Sequence, residues 1–241
     1  MENISYVGLS HQMALQQQMD LVSNNIANMT TPGYKSQEML FLEYLVEPED
    51  GENLSQVLDQ SSYRRTEQGT FKQTFNPLDL AISGDGYFAV ETRQGVRYTR
   101  AGNFALNNEG TIVNTKGHAL LDQNGQPLKV PEGDTQITIT ADGSLSSESG
   151  EIGKIKLVTF ENPQDMSELG NGLYDMIEAE EIPDDESQVI QGAIESSNVQ
   201  PIAEMTKMIE ILRTYQSVAR IMQNDHDRQR SAIRTLTNTN A

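Results

Sequence analysis

The sequence predicts an α+β protein in which two long terminal helices pair in a coiled-coil-like manner, with an antiparallel β-rich domain inserted between them. Near both ends of the 241-residue chain, apolar residues recur at spacings of three and four, as on one side of a helix. Between these ends, short runs rich in Val, Ile, Phe, Tyr and Thr alternate with turns rich in Gly and Asn, which is typical of strands. The predicted order is therefore helix, β domain, helix.

The first predicted element is the N-terminal helix of a helical core, within residues 1–33. The stretch from Ile4 to Met29 contains no Pro and one Gly. Its apolar residues at helical spacing form a narrow seam, which we predict to be an assembly interface. That seam consists of Leu15, Met19, Val22 and Ile26. Because a residue that precedes proline avoids the α region, Pro32 should end the helix.

The middle of the chain is predicted to hold an arm, a β-rich domain and a short linker. Residues 34–75 begin with an apolar run and continue with acids and Gly, so we interpret them as an extended arm or linker. Residues 76–183 carry turn signals about every seven to ten residues, which suits an antiparallel β domain. Ile137 and Ile139 alternate with polar neighbours, as half-buried strand residues do. Residues 184–197 are assigned to a second linker.

The C-terminal helix of the helical core is predicted within residues 198–241. Asn198 is a candidate N-cap, and Pro201 then falls in the first turn, where its missing N–H is no loss. A helix of up to ~40 residues, or ~60 Å, follows. Its apolar residues point in more than one direction, which indicates burial against several neighbours. The main seam, also predicted to be an assembly interface, consists of Ile202, Met205, Ile209, Leu212, Tyr215, Ala219 and Met222, while Ile211, Val218 and Ile221 point to another side.

The composition argues against several classes of function. The chain carries 35 Asp and Glu against 17 Lys and Arg, a formal net charge of −18, so it lacks the basic surface that nucleic acids and anionic membranes require. Residues 161–187 alone hold ten acidic residues and no Lys or Arg, which we interpret as a solvated face or a flexible edge. No stretch approaches about 18 consecutive apolar residues, so membrane insertion is not expected.

No site for chemistry is predicted. The chain has no Cys, and His11, His118 and His226 lie in separate segments, so we expect neither a zinc site nor a catalytic histidine. The Gly-Asp-Gly at residues 84–86 is interpreted as a hairpin turn, because no helix pattern and no P-loop Lys follow it. We therefore predict no enzyme and no catalytic, cofactor-binding or metal-binding residues. A sugar-binding or hydrolytic β domain is the alternative from a different class, since paired carboxylates can be proposed in an acid-rich chain.

Sequence blocks spread over nearly the whole chain resemble those of a known family. The block LQQQMDLVSNNIANMTTPGYK at residues 15–35 is followed by NPLDLAI at 76–82, GDGYF at 84–88 and GAIESSNV at 192–199. In this order the blocks resemble those of the flagellar rod and hook axial proteins. The signature positions that we single out are Asn24, Asn25, Asn28, Pro32, Gly33 and Asn198.

The resemblance implies a structural subunit of the bacterial flagellar basal-body rod that assembles helically through its terminal helices and transmits torque. The implied partners are other copies of the chain, other proximal and distal rod proteins and, during secretion, the flagellar type III export apparatus. The implied location is the periplasmic rod, reached without a cleaved signal peptide, whose basic and apolar regions the N-terminus lacks. The opening residues and compact centre are more similar to the proximal-rod subtype than to the longer distal-rod subtype, which is the alternative.

Overall fold

The computed structural model describes residues 2–46, 54–134, 136–176, 181–184 and 186–238. The chain divides into two compact units. Unit 1 comprises Met1–Ala27, Gln37–Tyr63 and Gln200–Ala241. Unit 2 comprises Asn28–Ser36 and Arg64–Val199. Each unit is therefore assembled from segments that are distant in the sequence.

Unit 1 contains both helices and a two-stranded sheet. Helix α1 (Glu2–Ala27) has 26 residues, and helix α2 (Pro201–Asn238) has 38. Strand β1 (Gln37–Val46) pairs with β2 (Leu54–Arg64). Helix α2 begins at a proline, whose fixed φ suits the first helical position, and carries the acidic Glu204 in its first turn, which favours the positive end of the helix dipole.

The two helices run antiparallel and meet over a short apolar cluster. At one end Asn25 Nδ2 donates a hydrogen bond to Glu204 Oε2 at 3.2 Å. Towards the other end, a Cβ added to Gly8 would lie 3.0 Å from the Cγ and Sδ atoms of Met222, so the glycine permits a close approach. Between these points the buried side chains are Leu15, Val22 and Ile211, and the partly buried ones are Met19, Ile26, Met208, Tyr215 and Val218.

The predicted coiled-coil-like pair of long helices is wrong. The structure contains two helices and a predominantly β region between them, which is an α+β arrangement, but no long coiled-coil pair occurs in the described residues. Among the described residues, three buried apolar side chains join the helices, and the first four seam residues predicted in α2 face outward. The stripe of α2 that meets α1 contains Ile211 and Val218, which the sequence placed on another side. Spacing alone does not tell which of two apolar stripes on a helix is the covered one.

Unit 2 is built from short strands and one 3-10 turn at Pro163–Asp165. The residue range 34–75, predicted as an arm or linker, contributes β1, β2 and the first strand of this series. The strands are β3 (Phe71–Gln73), β4 (Leu80–Ser83), β5 (Tyr87–Thr92), β6 (Gly95–Thr99), β7 (Phe104–Leu106), β8 (Ile112–Asn114), β9 (Ala119–Leu120), β10 (Ile137–Ile139), β11 (Ser144–Ser147), β12 (Gly150–Lys154), β13 (Leu157–Thr159), β14 (Ser167–Gly170), β15 (Leu173–Asp175), β16 (Ile182–Pro183), β17 (Gln188–Gln191) and β18 (Ala193–Glu195).

The described strands of unit 2 pair antiparallel. The largest sheet has nine strands, in the order β14-β15-β6-β5-β9-β8-β7, with β13 pairing both β5 and β16. A three-stranded sheet has the order β10-β11-β12, and two ladders pair β17 with β4 and β18 with β3. The last two ladders join residues more than 100 positions apart, so the C-terminal part of the unit closes against its beginning.

The core of unit 2 consists of two apolar clusters. The larger surrounds Phe88 and includes Ile137 and Ile139, between which Thr138 is exposed, so the predicted alternation is confirmed. The smaller is aromatic, with the ring centroids of Tyr87 and Tyr174 lying 5.8 Å apart. The clusters together show that unit 2 closes around apolar side chains of its own.

Phe75 in unit 2 has a backbone conformation that is unusual for a bulky residue. Phe75 has a φ of 62°, in the left-handed region that bulky L-residues seldom adopt. Its backbone N–H and that of Thr74 both donate to the carbonyl oxygen of Gly192, at 3.0 and 2.8 Å. These bonds hold the strained conformation, which costs roughly 1–2 kcal/mol for a residue with a Cβ.

Candidate assembly surface

Helix α2 carries a second apolar face that its own unit does not cover. Its residues follow spacings of three, four and three, and their exposed fractions range from 42% to 83%. At 3.6 residues per turn, this face lies about a third of a turn from the stripe that packs on α1. We call it the outer face; it consists of Ile202, Met205, Ile209 and Leu212.

Helix α1 also exposes large apolar side chains. Tyr6, Leu9 and Met13 follow helical spacing and are each at least half exposed. Both helices therefore combine a covered stripe with an uncovered one. Clustered exposed apolar side chains on a helix surface are typical of association sites.

The residues predicted as an assembly interface divide into two groups in the structure. Those that join the α1–α2 cluster are Leu15, Met19, Val22, Ile26 and Tyr215. Ala219 and Met222 are half-buried. The remaining four, Ile202, Met205, Ile209 and Leu212, form the exposed outer face. The structure thus brings the first group together within unit 1 and leaves the outer face facing away from that cluster.

A buried asparagine fixes the end of α1. Asn25 is 1% exposed, and its amide exchanges two hydrogen bonds with the backbone of Gln37, at 2.8 and 3.0 Å. It also donates to the buried carboxylate of Glu204, which accepts a second bond from Lys207 Nζ at 2.9 Å. Because a buried polar group is costly without partners, this network specifies where α1, α2 and the start of β1 meet.

A buried ionic cluster lies in unit 2. Lys35 Nζ is 2.6 Å from Glu195 Oε1 and donates to the carbonyl oxygen of Glu67 at 2.9 Å. Arg100 Nη1 lies 3.5 Å from the other oxygen of Glu195, and Gly69 N–H donates to Oε1 at 3.0 Å. Burial lowers the pKa of Lys35, although the carboxylate of Glu195 acts in the opposite direction. The cluster therefore ties residues 33–36 to the chain just before α2.

The Pro-Gly-Tyr-Lys signature is explained by this cluster. Gly33 has a φ of +68°, and a Cβ there would lie 2.5 Å from the carbonyl carbon of Arg100, so no larger residue fits. Its N–H donates to the carbonyl oxygen of Glu195 at 2.9 Å. Tyr34 beside it is 1% exposed, and Pro32 is half-buried. The signature is thus a tight turn that places Lys35 against its partners.

Asn198 forms hydrogen bonds with the backbone next to this turn and does not cap a helix. Its Oδ1 accepts a hydrogen bond from Ser36 N–H at 2.7 Å. Its Nδ2 donates to the carbonyl oxygens of Arg65 and Glu67, at 3.1 and 3.0 Å. Helix α2 instead begins at Pro201, and Glu204 N–H donates to the carbonyl oxygen of Gln200. The predicted N-cap role of Asn198 is therefore wrong.

The other signature asparagines flank the end of α1. Asn24 lies on the exposed side of the helix. Asn28 follows the last helical residue, and its Oδ1 accepts a hydrogen bond from Thr31 Oγ1 at 3.1 Å. Thr31 N–H in turn donates to the carbonyl oxygen of Asn28 at 3.1 Å. These bonds form the turn after the helix, which ends at Ala27, five residues before the proline that was predicted to end it.

Sequence reasoning missed the charged members of these networks. No role was predicted for Lys35, Arg100, Glu195 or Glu204, all of which are at most 6% exposed. The sequence signal that could have pointed to Lys35 and Glu195 is their position in the chain, because each of them lies inside one of the signature blocks. Their pairing spans 160 residues, which no local pattern reports.

The described part of the chain offers no counterpart to a metal centre or a membrane span. No group of three or more His, Asp or Glu among those residues is arranged to hold a metal ion. Neither described helix combines the length and apolar character that crossing a bilayer requires. The features that stand out are the outer face and the two polar networks.

Comparison with known proteins gives matches along the whole chain. Residues 6–35 match the family described as flagella basal body rod protein, residues 81–147 the flagellar hook protein FlgE/F/G D1 domain, and residues 190–235 the flagellar basal body rod FlgEFG protein C-terminal family. The outer matches include the Pro-Gly-Tyr-Lys turn and Glu195. The predicted resemblance to the rod and hook family is thus confirmed, with matched ranges near both ends of the chain and in its β-rich part.

Curated relatives match over nearly their full length. The flagellar basal-body rod protein FlgF of Caulobacter vibrioides is 37% identical, with 100% of both chains covered. FlgF of Mesorhizobium japonicum is 32% identical over 98% of each chain. The flagellar basal-body rod protein FlgG of Bacillus subtilis is 32% identical over 90% of this chain and 92% of the relative. The chain therefore belongs to the family of flagellar basal-body rod proteins.

Proposed function

We propose that this chain is a structural subunit of the proximal part of the flagellar rod, and that it assembles helically with further copies of itself and with other rod proteins. Membership in the rod family supports the structural role, and the matches to FlgF over the full chain favour the FlgF-like subtype over the distal, FlgG-like one. The observation that carries the assembly mechanism is the uncovered outer face of α2.

The outer face suits a helical array for a physical reason. Burial of an apolar side chain contributes about 1.5–3 kcal/mol relative to exposure, so four such residues left in water favour association. The exposed stripe of α1 consists of different residue types from the outer face of α2. Two different surfaces on one subunit allow head-to-tail contacts, which generate rings or filaments rather than closed dimers.

The mechanical role follows from this arrangement. In such an array the helices of neighbouring copies form a continuous layer that transmits torque along the rod. Basal-body rod proteins belong to the flagellar basal body, and we place this chain in its periplasmic section. We further propose export through the flagellar type III apparatus without a cleaved signal peptide, and no catalytic activity. A sugar-binding or hydrolytic β domain is not favoured, because the family is structural.

Leu212→Asp tests the assembly mechanism. The side chain is exposed, so the substitution should change the free energy of unfolding by no more than about 0.5 kcal/mol. It places a charge in the apolar outer face, so we expect the variant to be absent from purified basal bodies and the cells to lose swimming. The measurements are thermal unfolding of the purified chain, quantification of the subunit in basal bodies, and motility.

Ser217→Asp is the matched control for this substitution. It adds the same charge to the same helix at an exposed position off the outer face. We expect it to assemble and to support swimming. Normal incorporation of Leu212→Asp would show that the outer face is not the assembly contact.

A further inference from the structure

Unit 2 has a positively charged groove, although the chain as a whole is strongly acidic. The groove has a volume of about 760 Å³ and is lined by residues of the β5–β6 turn, the β8–β9 turn and the β14–β15 hairpin, together with Arg97 of β6. Among its described lining residues the carboxylate is Glu91, and the basic side chains are Arg93, Arg97, Lys116 and His118. Three of the 17 Lys and Arg of a chain with a formal net charge of −18 are thus gathered at one surface, whose potential favours a negatively charged partner.

Two of these cations are available to a partner. Arg97 Nη2 lies 3.2 Å from Asp175 Oδ2, so this guanidinium already has a counterion. Arg93 and Lys116 are instead exposed, and neither forms an ion pair with another described residue. The N–H of Lys116 donates to Asn114 Oδ1 at 2.9 Å, which fixes the turn that carries the lysine. A charge on a fixed turn binds a partner with little loss of conformational entropy.

A hairpin of the same unit carries the opposite charge. Strands β11 and β12 are joined by a two-residue turn, and residues 130–153 hold five acidic residues and no Lys or Arg. Ser149 Oγ in this turn donates to Asp134 Oδ1 at 2.8 Å, which ties the turn to the loop before β10. We call the carboxylates around the turn the acidic tip; it consists of Glu132, Asp134, Glu148 and Glu151, all but Asp134 being exposed.

The acidic tip suits the groove better than the acid-rich residues 161–187 do. In that segment Asp175 already faces Arg97, and Glu181 is paired with Lys156. The segment of the acidic tip has no cation of its own, and its turn is narrow enough to enter a groove. None of the described residues that line the groove belongs to residues 130–153, so the acidic tip does not occupy the groove of its own chain.

We propose that the groove of unit 2 binds the acidic tip of a second copy of this chain, with Arg93 and Lys116 facing Glu148 and its neighbouring carboxylates. The contact joins two different patches head to tail, as a helical array requires. It rests on the proposed assembly of the rod and is separate from the outer face of α2. Charge complementarity fixes register and orientation more than affinity, so this contact orients the β units of neighbouring copies.

Disulfide trapping tests which surfaces meet. The chain has no Cys, so an engineered pair has no background within it. Gln94→Cys in the groove and Ser149→Cys in the acidic tip keep every charge, and both positions are exposed. In cells that assemble rods, mild oxidation with copper phenanthroline should link copies carrying both changes into dimers and larger multiples, seen on non-reducing gels. Gln73→Cys with Ser149→Cys is the matched control, since Gln73 is exposed outside the groove; it should give no linked copies.

A charge exchange tests whether the contact is electrostatic. Lys116→Glu and Glu148→Lys each place like charges against one another, so each alone should lower the amount of subunit in basal bodies about tenfold. The two together restore opposite charges and should restore incorporation. Because both positions are exposed, each variant should keep its midpoint of thermal unfolding within about 2 °C of the unsubstituted chain. Lys72→Glu, the same change at an exposed lysine outside the groove, should incorporate normally.

Several results would overturn this contact. These are no more linked copies for the Gln94 pair than for the Gln73 control, a link to a different protein, normal incorporation of Lys116→Glu, or no recovery in the combined exchange. If one of them is found while Leu212→Asp still fails to assemble, the proposed function stands without this contact. Normal assembly of Leu212→Asp would instead contradict the outer face and would not bear on the disulfide between copies.

Discussion

Unit 2 and unit 1 differ in how completely each one covers its apolar side chains. In the described residues, unit 2 buries sixteen apolar residues in one cluster and eight in another, whereas the cluster between the helices of unit 1 has three. Helix α2 nevertheless exposes a continuous apolar face. The β unit thus covers its apolar side chains with its own residues, whereas the helical unit leaves an apolar face uncovered.

The largest effect that we predict concerns the buried ionic cluster of unit 2. Glu195→Gln removes the charge that Lys35 and Arg100 share, and a buried cation without its partner typically destabilises a fold by about 3–5 kcal/mol. Urea denaturation of the purified variant, followed by a signal from the β unit, measures this loss. The result bears on the comparison of the two units because it measures how much of the stability of unit 2 comes from contacts within that unit.

The exposed pair of Arg65 and Glu67 provides the control for that measurement. Glu67 is largely exposed, so Glu67→Gln should change the free energy of unfolding by no more than about 1 kcal/mol, as is usual for surface ion pairs. If Glu195→Gln changed the free energy of unfolding as little as this control, burial would not explain the contribution of the ionic cluster to stability.

A pair of alanine substitutions tests the comparison directly. Leu145 in unit 2 is fully buried, so Leu145→Ala should cost about 2–5 kcal/mol by leaving a cavity. Ile209 lies on the outer face, so Ile209→Ala should change the stability of the free subunit by less than about 0.5 kcal/mol. Chemical denaturation of both variants gives the two values. Equal losses would contradict the view that the outer face is uncovered in the free subunit.

The smallest predicted effect concerns a turn of unit 2. Hydrogen bonds from Thr140 and Ser144 lower the pKa of Asp142 to about 2, below its usual 3.8. Because the folded pKa is depressed, the contribution of this turn is complete above pH 3.8 and is lost as the pH falls through about 2. Thr140→Val should move the pKa back towards 3.8, as measured by NMR titration of the carboxyl carbon. An unchanged pKa would mean that the turn does not form in the free subunit.

Local patterns in the sequence were sufficient to predict that the middle of the chain is rich in β-strands and that a helix lies near each end. The alternation of Ile137 and Ile139 reports a half-buried strand directly, because the side chains of a strand alternate between its faces. The two helices could be predicted equally well from the sequence, but the surface that each helix packs against could not. Stripes containing Leu212 and Ile211 are both apolar, and only the position of α1 decides which of them is covered.

The candidate site was predicted in part, for a similar reason. Gly33 and Pro32 belong to a local signature, and the structure explains the glycine through its positive φ and its approach to Arg100. Asn198 was expected to act locally, as a helix cap, and instead binds backbone groups of residues 36, 65 and 67. Buried charges such as Lys35 and Glu195 become recognisable only when folding brings distant segments together.

The contact between Gly8 and Met222 has a chemical consequence. The chain has ten Met and no Cys, so its oxidisable sulfur is entirely thioether. Oxidation of Met222 to the sulfoxide adds a polar oxygen to the sulfur that lies where a glycine admits a close approach of the two helices. A single oxygen atom there would push α1 and α2 apart, and methionine sulfoxide reductase would be needed to restore their packing. Oxidation at Met222 would therefore act on the packing between the two helices of unit 1.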